Sequence, residues 1–370
     1  MIEGSEDPLS CEKGGIDMSL IDRFRGMWEM IEGSPARMPG RVALLPDHVL
    51  NEGGPSGTVF APHEHYFEVR VNEMYLTYAR KWLSDYDPMV FVVSEFIYDK
   101  KEEAVPFVVG PMLMDKYGQK IPEGMVFSNT RVAGLHPYRG GNFTLSVILF
   151  RVRREKYAPK LLQMVESAAN VLDFGTALGN YVKIASVIFD GVDALLGLGD
   201  TDPLLGHRTT LAADNVRPVH FALIDLPEES LDVKRLWVKN DRLYSGDKAD
   251  GATPFRAADF VLFSVVQSSK RTDETTLPFY PQWERVVGEA TVPKPANWES
   301  AKANMLNLYQ SLMLSPDLTR NQAFDLARLY KTEMKRIHEQ AVEMATLGGA
   351  KREESEFDRI RGESLEILRM

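Results

Sequence analysis

Apolar runs of strand type dominate the first half of the sequence, and turns rather than long helices join them. Residues 67–71 alternate apolar and polar side chains, which predicts a strand with one face in water. Residues 89–97 and 104–109 are rich in apolar and β-branched side chains, and residues 143–152 are apolar on both faces. Successive strands without intervening long helices predict an antiparallel sandwich or barrel over residues 41–155, and we expect the sandwich.

Two helical patterns flank this strand region. Ser19 has the position of an N-cap, and Phe24 and Trp28 belong to an apolar face with helical spacing. We interpret this short amphipathic helix as a docking element, either on the protein's own core or on a partner. A long apolar helical region over residues 159–198 is interpreted as a buried spine that contacts two sheets.

Further patterns follow in the second half of the chain. Residues 219–268 contain additional strand runs, with Asn240-Asp241 at a two-residue hairpin turn. Near the C-terminus, Thr319 and Gln322 have capping-box spacing. Behind them, apolar residues repeat in steps of four and three over residues 323–344, which favours packing within a helical bundle.

Together these patterns predict an α+β protein with an N-terminal antiparallel β-sandwich lobe, a buried helical spine, a second smaller β-sheet and a C-terminal helical hairpin. We expect one body with two lobes, because the spine has enough apolar surface to contact both sheets. The expected segments are a polar N-terminal segment with one amphipathic helix (1–40), the sandwich lobe (41–155), the spine and a linker (156–217), the smaller sheet lobe (218–296) and the C-terminal helices (297–370).

Composition restricts the functional class. A single cysteine among 370 residues excludes an intramolecular disulfide and a zinc site built from thiolates. The net charge of -10 argues against a protein dedicated to nucleic acid, which needs a concentrated basic field. The acidic start lacks the pattern of a secretory signal, and no apolar stretch is long enough to span a bilayer. We therefore expect a cytoplasmic protein.

His63-Glu64-His65 is the best-defined candidate for a metal site in the sequence. On a strand, His63 and His65 would point to the same face and could reach one metal ion. The tripeptide resembles the first motif of the cupins, and Pro122-Glu123-Gly124 resembles the second, although no histidine follows Gly124 at the expected interval. A metal ion would need a further ligand such as His136, and the alternative is a pair of surface histidines. No nucleotide-binding motif is present, and no cofactor is expected.

The densest basic stretch of the sequence lies at the predicted end of a strand and includes Arg151, Arg153, Arg154 and Lys156. Such a patch can dock an acidic protein, a lipid head group or a nucleic-acid backbone. It can equally be a solvated strand edge whose charges discourage pairing with another sheet.

The lack of catalytic spacings and the large sandwich surfaces favour a non-enzymatic binding or assembly protein that acts through protein–protein contacts. We expect its contacts with a partner protein at the first helix (Phe24 and Trp28), the C-terminal segment or the basic stretch. The sequence is also compatible with a homo-oligomer. Two alternatives remain. One is a membrane-recruited protein that does not span the bilayer and releases residues 161–198. The other is a metal-dependent enzyme that uses His63 and His65.

Overall fold

The computed structural model has strands and helices throughout the residues that it describes, which are 19–34, 36, 38–39, 42–50, 58–77, 80–81, 84–98, 100–110, 130–153, 178–196 and 201–349. The strands are β1 (Val42–Ala43), β2 (Tyr66–Tyr75), β3 (Arg80–Lys81), β4 (Ser84–Tyr98), β5 (Lys101–Val109), β6 (Thr130–Pro137), β7 (Phe143–Arg153), β8 (Thr201–Leu211), β9 (Val219–Ile224), β10 (Leu236–Lys239), β11 (Arg242–Ser245), β12 (Thr253–Pro254) and β13 (Phe260–Ser268). The helices are α1 (Leu20–Glu32), α2 (Leu178–Leu196), α3 (Tyr280–Ala290), α4 (Pro295–Leu314) and α5 (Arg320–Gly349).

Two antiparallel sheets pack face to face. The first sheet has the order β1-β9-β13-β2-β6. The second has the order β5-β4-β7-β8, and β3 pairs with the start of β4. The core between them includes Val69 of β2, Val92 of β4 and Val147 of β7, all essentially without exposed surface. The predicted α+β class and its antiparallel sandwich are thus confirmed.

A smaller third sheet lies on the outer face of the first. It has the order β10-β11-β12, and its Leu236 and Leu243 pack against Ala222 and Leu262 of the first sheet. The strands β9 and β13 belong to the first sheet itself. The smaller sheet within residues 218–296 therefore consists of β10–β12. The sequence pattern did not predict this division, because periodicity identifies a strand without identifying its neighbours.

A tight turn and a buried carboxylate hold the third sheet in place. Asn240 and Asp241 have φ of 48° and 59°, the left-handed values that the predicted two-residue hairpin requires. Glu73 of β2 accepts a hydrogen bond from the backbone N–H of Leu243 at 2.6 Å and pairs with Arg256 at 3.0 Å. Burial raises the pKa of Glu73, and these two contacts oppose that rise.

Helices α1 and α2 cover the outer face of the second sheet. Phe24 of α1 has its ring centroid 6.4 Å from Phe91 of β4 and 6.2 Å from Phe189 of α2. Trp28 packs in the same cluster and is 6 % exposed. Ser19 accepts a hydrogen bond from the backbone of Asp22, which confirms the predicted N-cap. Helix α1 is therefore docked on the protein's own core.

The expectation that the region after Pro159 lies between two sheets is wrong for its described part. Within the described ranges, Ile188 and Val192 of α2 pack against the second sheet and α1, whereas Asp190 is exposed and pairs with Arg23 of α1 at 2.6 Å. A helix with a wide apolar face can pack on the outer face of one sheet or between two sheets. Apolar character alone does not distinguish these two placements. Residues 159–177 lie outside the described residues. No helix in the described ranges combines the length and apolar character needed to cross a bilayer.

Helices α3, α4 and α5 form a three-helix bundle that contacts the sandwich. Within it Trp283 of α3 stacks on Tyr330 of α5, with ring centroids 4.3 Å apart. The apolar seam of α5 is buried from Ala323 to Met334, whereas Met344 at its end is exposed. The predicted helical hairpin of α4 and α5 is present, and α3 completes it. The last segment, residues 350–370, lies outside the described residues.

Candidate functional site

The candidate site is an open cleft between the sandwich and the bundle. It has a volume of about 910 Å³ and lies between the end of β4 and one face of α3 and α4. That volume is within the usual range for ligand-binding clefts in proteins. Its walls carry mostly side-chain amides and hydroxyls, which include Gln282, Asn304, Asn307, Gln310 and Ser311.

Two hydrogen bonds set the antiparallel register of α3 and α4. Ser311 donates to Oε1 of Gln282 at 2.9 Å near one end of the pair, and Asn297 donates to Oε2 of Glu289 at 2.7 Å near the other. This register places Arg285 of α3 beside the asparagines of α4. The cleft is therefore lined by amides along its length, with a guanidinium next to them.

Three amides of α4 are available to a ligand. Asn304, Asn307 and Gln310 line the cleft, and their side chains make no hydrogen bond within the described part of the chain. Asn304 and Asn307 are three residues apart, so they project from the same side of the helix. Each amide offers one acceptor and two donor hydrogens. The row can therefore satisfy a ligand that presents donors and acceptors in close succession.

The end of the cleft near the sandwich is apolar. Leu314, the last residue of α4, is 81 % exposed and lines the cleft together with Phe279 and Pro316. An exposed leucine beside other apolar side chains provides a surface for an apolar group of a ligand. The cleft therefore has a polar stretch along α4 and an apolar end next to β4.

Arg139 fixes the turn that follows α4. Its Nη2 donates to the backbone oxygens of Ser315, Pro316 and Leu318 at 3.1, 3.3 and 2.9 Å. These oxygens lie at and just beyond the C-terminal end of α4, where a cation is also favoured by the helix dipole. Burial lowers the pKa of Arg139, and the nearby Tyr66 and Asp317 oppose this effect. A sandwich residue thus holds the floor of the cleft.

Arg271 fixes the same turn from a buried position. It donates to both carboxylate oxygens of Asp273 at 2.6 and 2.9 Å, and to the backbone oxygen of Asp317 at 2.9 Å. Burial disfavours its charge, but Asp273 and Asp317 together raise the pKa of Arg271. The side-chain amide of Gln322 accepts from the backbone N–H of Arg271 and donates to its carbonyl, which ties the start of α5 to this arginine.

Two tyrosines complete the junction between sandwich and bundle. The hydroxyl of Tyr66 accepts from the backbone N–H of Thr319 at 2.9 Å, and that of Tyr98 donates to Oδ1 of Asp317 at 3.2 Å. Burial raises the pKa of Tyr66, so it stays a neutral phenol. The turn between α4 and α5 is therefore held by side chains from four separate stretches of the chain.

His63 and His65 lie in a turn before β2, so the premise that they share a strand face is wrong. His63 has φ of 67°, and Arg139 donates to its Nδ1 at 3.2 Å. Burial and the charges of Arg139 and Arg320 lower the pKa of His63. Nδ1 of His65 accepts from the backbone of Ala61 at 2.9 Å. Among the described residues no three metal-ligating side chains converge.

The other candidates from the sequence are spread over the molecule. Phe24 and Trp28 are buried against the second sheet, which corrects their assignment to a partner-binding surface. Arg151 donates to Asp202 at 2.7 Å and lies over a tyrosine ring of β4. Arg153 is partly buried at the end of β7. Arg154 and Lys156 lie outside the described residues.

His220 of β9 lies on the outer face of the first sheet and has a strongly lowered pKa. It is 6 % exposed and pairs in register with Ser264, and its Nδ1 has no hydrogen-bond partner among the residues that the structure describes. Ser264 in turn pairs with Arg70 of β2. Burial and the charge of Arg70 lower the pKa of His220 to about 4.

We expect this histidine to make stability depend on pH. The unfolded chain binds the proton near pH 6.5, whereas the folded chain binds it near pH 4, so stability is lost as the pH falls between these values. The expected loss is about 3 kcal/mol. Urea unfolding of the wild type and of His220→Gln from pH 7.5 to pH 4 measures it, because the variant lacks the titration.

The neighbouring variant Ser264→Ala provides the control, since it alters the same packing without removing a titratable group. Its unfolding free energy should run parallel to that of the wild type over this pH range. Parallel curves for wild type and His220→Gln would show that His220 is protonated equally easily in both states.

Sequence reasoning did not identify the cleft, because its walls come from the end of β4, the start of α3 and the end of α4. One local signal is present. Asn304, Asn307 and Ser311 follow each other in steps of three and four, which gives α4 an uncharged polar stripe. Solvent-facing helix surfaces usually carry charged residues as well. A stripe of uncharged amides therefore indicates a binding face, although only weakly.

The cleft, the amide row and the clamped turn are the features on which a functional argument can rest. They combine hydrogen-bonding groups that have no partner in the described part of the chain, a defined volume and a turn held by several side chains. No protein-family model, no curated protein and no solved structure matches this chain.

Proposed function

We propose that the protein is a non-enzymatic binding or assembly protein of the bacterial-type cytoplasm, and that it holds an extended segment of another protein in the cleft. The observation that carries this proposal is the row of amides at Asn304, Asn307 and Gln310, which have no partner within the described residues. An extended backbone presents N–H and C=O groups in close succession, and a side-chain amide can pair with both.

The dimensions of the cleft suit a short extended segment. Between Asn304 and Leu314, α4 rises about 15 Å. Extended chain covers this distance in about four to five residues. The apolar end formed by Leu314 and Phe279 can then receive one apolar side chain of the segment.

The chemistry of the lining supports binding over catalysis. Side-chain amides stay un-ionised near neutral pH, so the row can hold a ligand but cannot act as a general acid or base. The carboxylate of Asp317 is almost completely buried and accepts a hydrogen bond from Tyr98. Its charge is balanced by Arg139 and Arg271.

The amides are also costly to the helix that carries them. Asparagine is less favourable than alanine inside a helix by up to about 0.7 kcal/mol. Asn304 and Asn307 both lie in the interior of α4. Residues that lower stability without making internal contacts are typical of positions kept for function.

We therefore expect the triple variant Asn304→Ala, Asn307→Ala, Gln310→Ala to lose peptide binding while it keeps or slightly gains stability. A phage-displayed library of random heptapeptides, selected on the immobilised full-length protein, supplies the ligands. Affinity for the selected peptides should fall at least tenfold in the triple variant, because the groups that pair with the peptide backbone are gone. Thermal unfolding checks that the variant is folded.

The matched control is the double variant Asn321→Ala, Gln340→Ala, which removes exposed amides of α5 that do not line the cleft. It should bind the selected peptides as the wild type does. Peptides that bind the triple variant and the wild type equally, or a library from which the protein selects nothing, would remove the basis of the proposed function.

A further inference from the structure

We infer that the segment bound in this cleft is acidic, with a carboxylate that pairs with Arg285 and an apolar side chain at the end formed by Leu314 and Phe279. This inference rests on the proposed function and adds the chemistry and orientation of the ligand.

Arg285 has no ion-pair partner among the described residues. Arg285 is exposed in the cleft and makes no hydrogen bond or ion pair to any residue of the described ranges. Among the described lining residues Asp317 is the only other charged one, and its carboxylate lies in the field of Arg139 and Arg271. A ligand that enters the cleft therefore meets one uncompensated positive charge.

A carboxylate is the group that best matches this environment. A guanidinium can donate two parallel hydrogen bonds to a carboxylate, and the amides of Asn304 and Asn307 beside it can donate to the same or the next acceptor. A doubly charged phosphate group would call for more than the single free cation that the described lining offers. Because the whole chain carries a net charge of -10, an acidic ligand is attracted only where such a local cation exists.

The cleft also defines the spacing within the ligand. The register of α3 and α4 places Arg285 beside the asparagines, whereas Leu314 lies at the other end of the cleft. The distance along α4 corresponds to about four residues of extended chain. The expected ligand thus has an acidic group and an apolar side chain about four residues apart.

Selection from the same heptapeptide library tests this inference. Peptides selected on the wild type should be enriched in Asp or Glu at one position and in an apolar residue about four positions away. Selection on Arg285→Gln should lose the acidic preference and keep the apolar one. Selection on Arg285→Glu should replace the acidic residue by Lys or Arg. The matched control Arg328→Gln, an exposed arginine of α5 outside the cleft, should select the wild-type pattern.

Fluorescence anisotropy with one selected peptide then measures the effect. Replacing its acidic residue by the corresponding amide should weaken binding to the wild type at least tenfold and leave binding to Arg285→Gln unchanged. Displayed peptides have no free C-terminal carboxylate, so a synthetic version that lacks the acidic side chain but ends in a free acid tests that source. If this version binds with restored affinity, Arg285 contacts the carboxylate of a chain terminus. If affinity is not restored, Arg285 contacts an acidic side chain.

The two proposals fail in different ways. Peptides that depend on the amides of α4 but show no acidic preference would overturn this inference and leave the proposed function in place. An acidic preference that Arg285→Gln retains would also overturn it. Loss of the amide dependence would overturn both.

Discussion

Replacing Phe24 by alanine is expected to lower the free energy of unfolding by about 3–5 kcal/mol, the usual cost of removing a buried aromatic side chain. Phe24 has no exposed surface, and its ring lies against Phe91, Phe189 and Trp28. Its removal leaves a cavity between α1, α2 and the second sheet, which these elements can close only in part. Urea unfolding followed by circular dichroism measures the change.

Phe324 of α5 provides a matched control, because it is 47 % exposed. Phe324→Ala should change stability by only a small fraction of the effect at Phe24. Similar small effects for both variants would mean that α1 is only loosely attached to the second sheet. They would favour the alternative interpretation of the sequence, in which α1 binds a partner.

Replacing Arg271 by methionine is expected to lower the free energy of unfolding by about 3–5 kcal/mol as well, because it leaves a partly buried carboxylate without its partner. The side chain of Arg271 is 2 % exposed and that of Asp273 is 19 % exposed. The variant also removes the donor that holds the carbonyl of Asp317, so the turn between α4 and α5 loses one of its two arginine contacts.

A second variant separates the unpaired charge from the lost packing. Arg271→Met combined with Asp273→Asn should recover part of the stability, since no charge is then buried alone. The surface pair of Arg336 and Glu333 on α5 provides the comparison, and Arg336→Met should have little effect because both groups are in water. Equal effects at Arg271 and Arg336 would show that the buried pair contributes no more than an exposed one.

Local patterns predicted the elements of the fold well, but not their neighbours. The cap at Ser19, the apolar face of α1 and the turn at Asn240-Asp241 depend on residues close in sequence, and all three are confirmed. The surface that α1 covers, and the membership of β9 and β13 in the first sheet, depend on contacts between distant residues. An apolar stripe states that a face is buried without stating against what.

The start of α5 shows the same limit within a single motif. The spacing of Thr319 and Gln322 predicts a capping box, and Oγ1 of Thr319 does accept from the backbone N–H of Gln322 at 3.3 Å. The reciprocal bond is absent, because the Gln322 side chain binds the backbone of Arg271 and the Thr319 N–H donates to Tyr66. The candidate site could not be predicted from sequence for the same reason, since the side chains of Tyr66, Arg139 and Arg271 that hold its turn come from distant stretches of the chain.

The pairing of β2 with β13 has a consequence for synthesis on the ribosome. Val69 lies opposite Val265, so the first sheet cannot be completed until about 200 further residues have been translated after β2. At about 5–20 residues per second this interval lasts roughly 10 to 40 s. During this time the edge of β2 that pairs with β13 has no neighbouring strand. The nascent chain is therefore expected to depend on chaperones that shield such edges until β13 emerges.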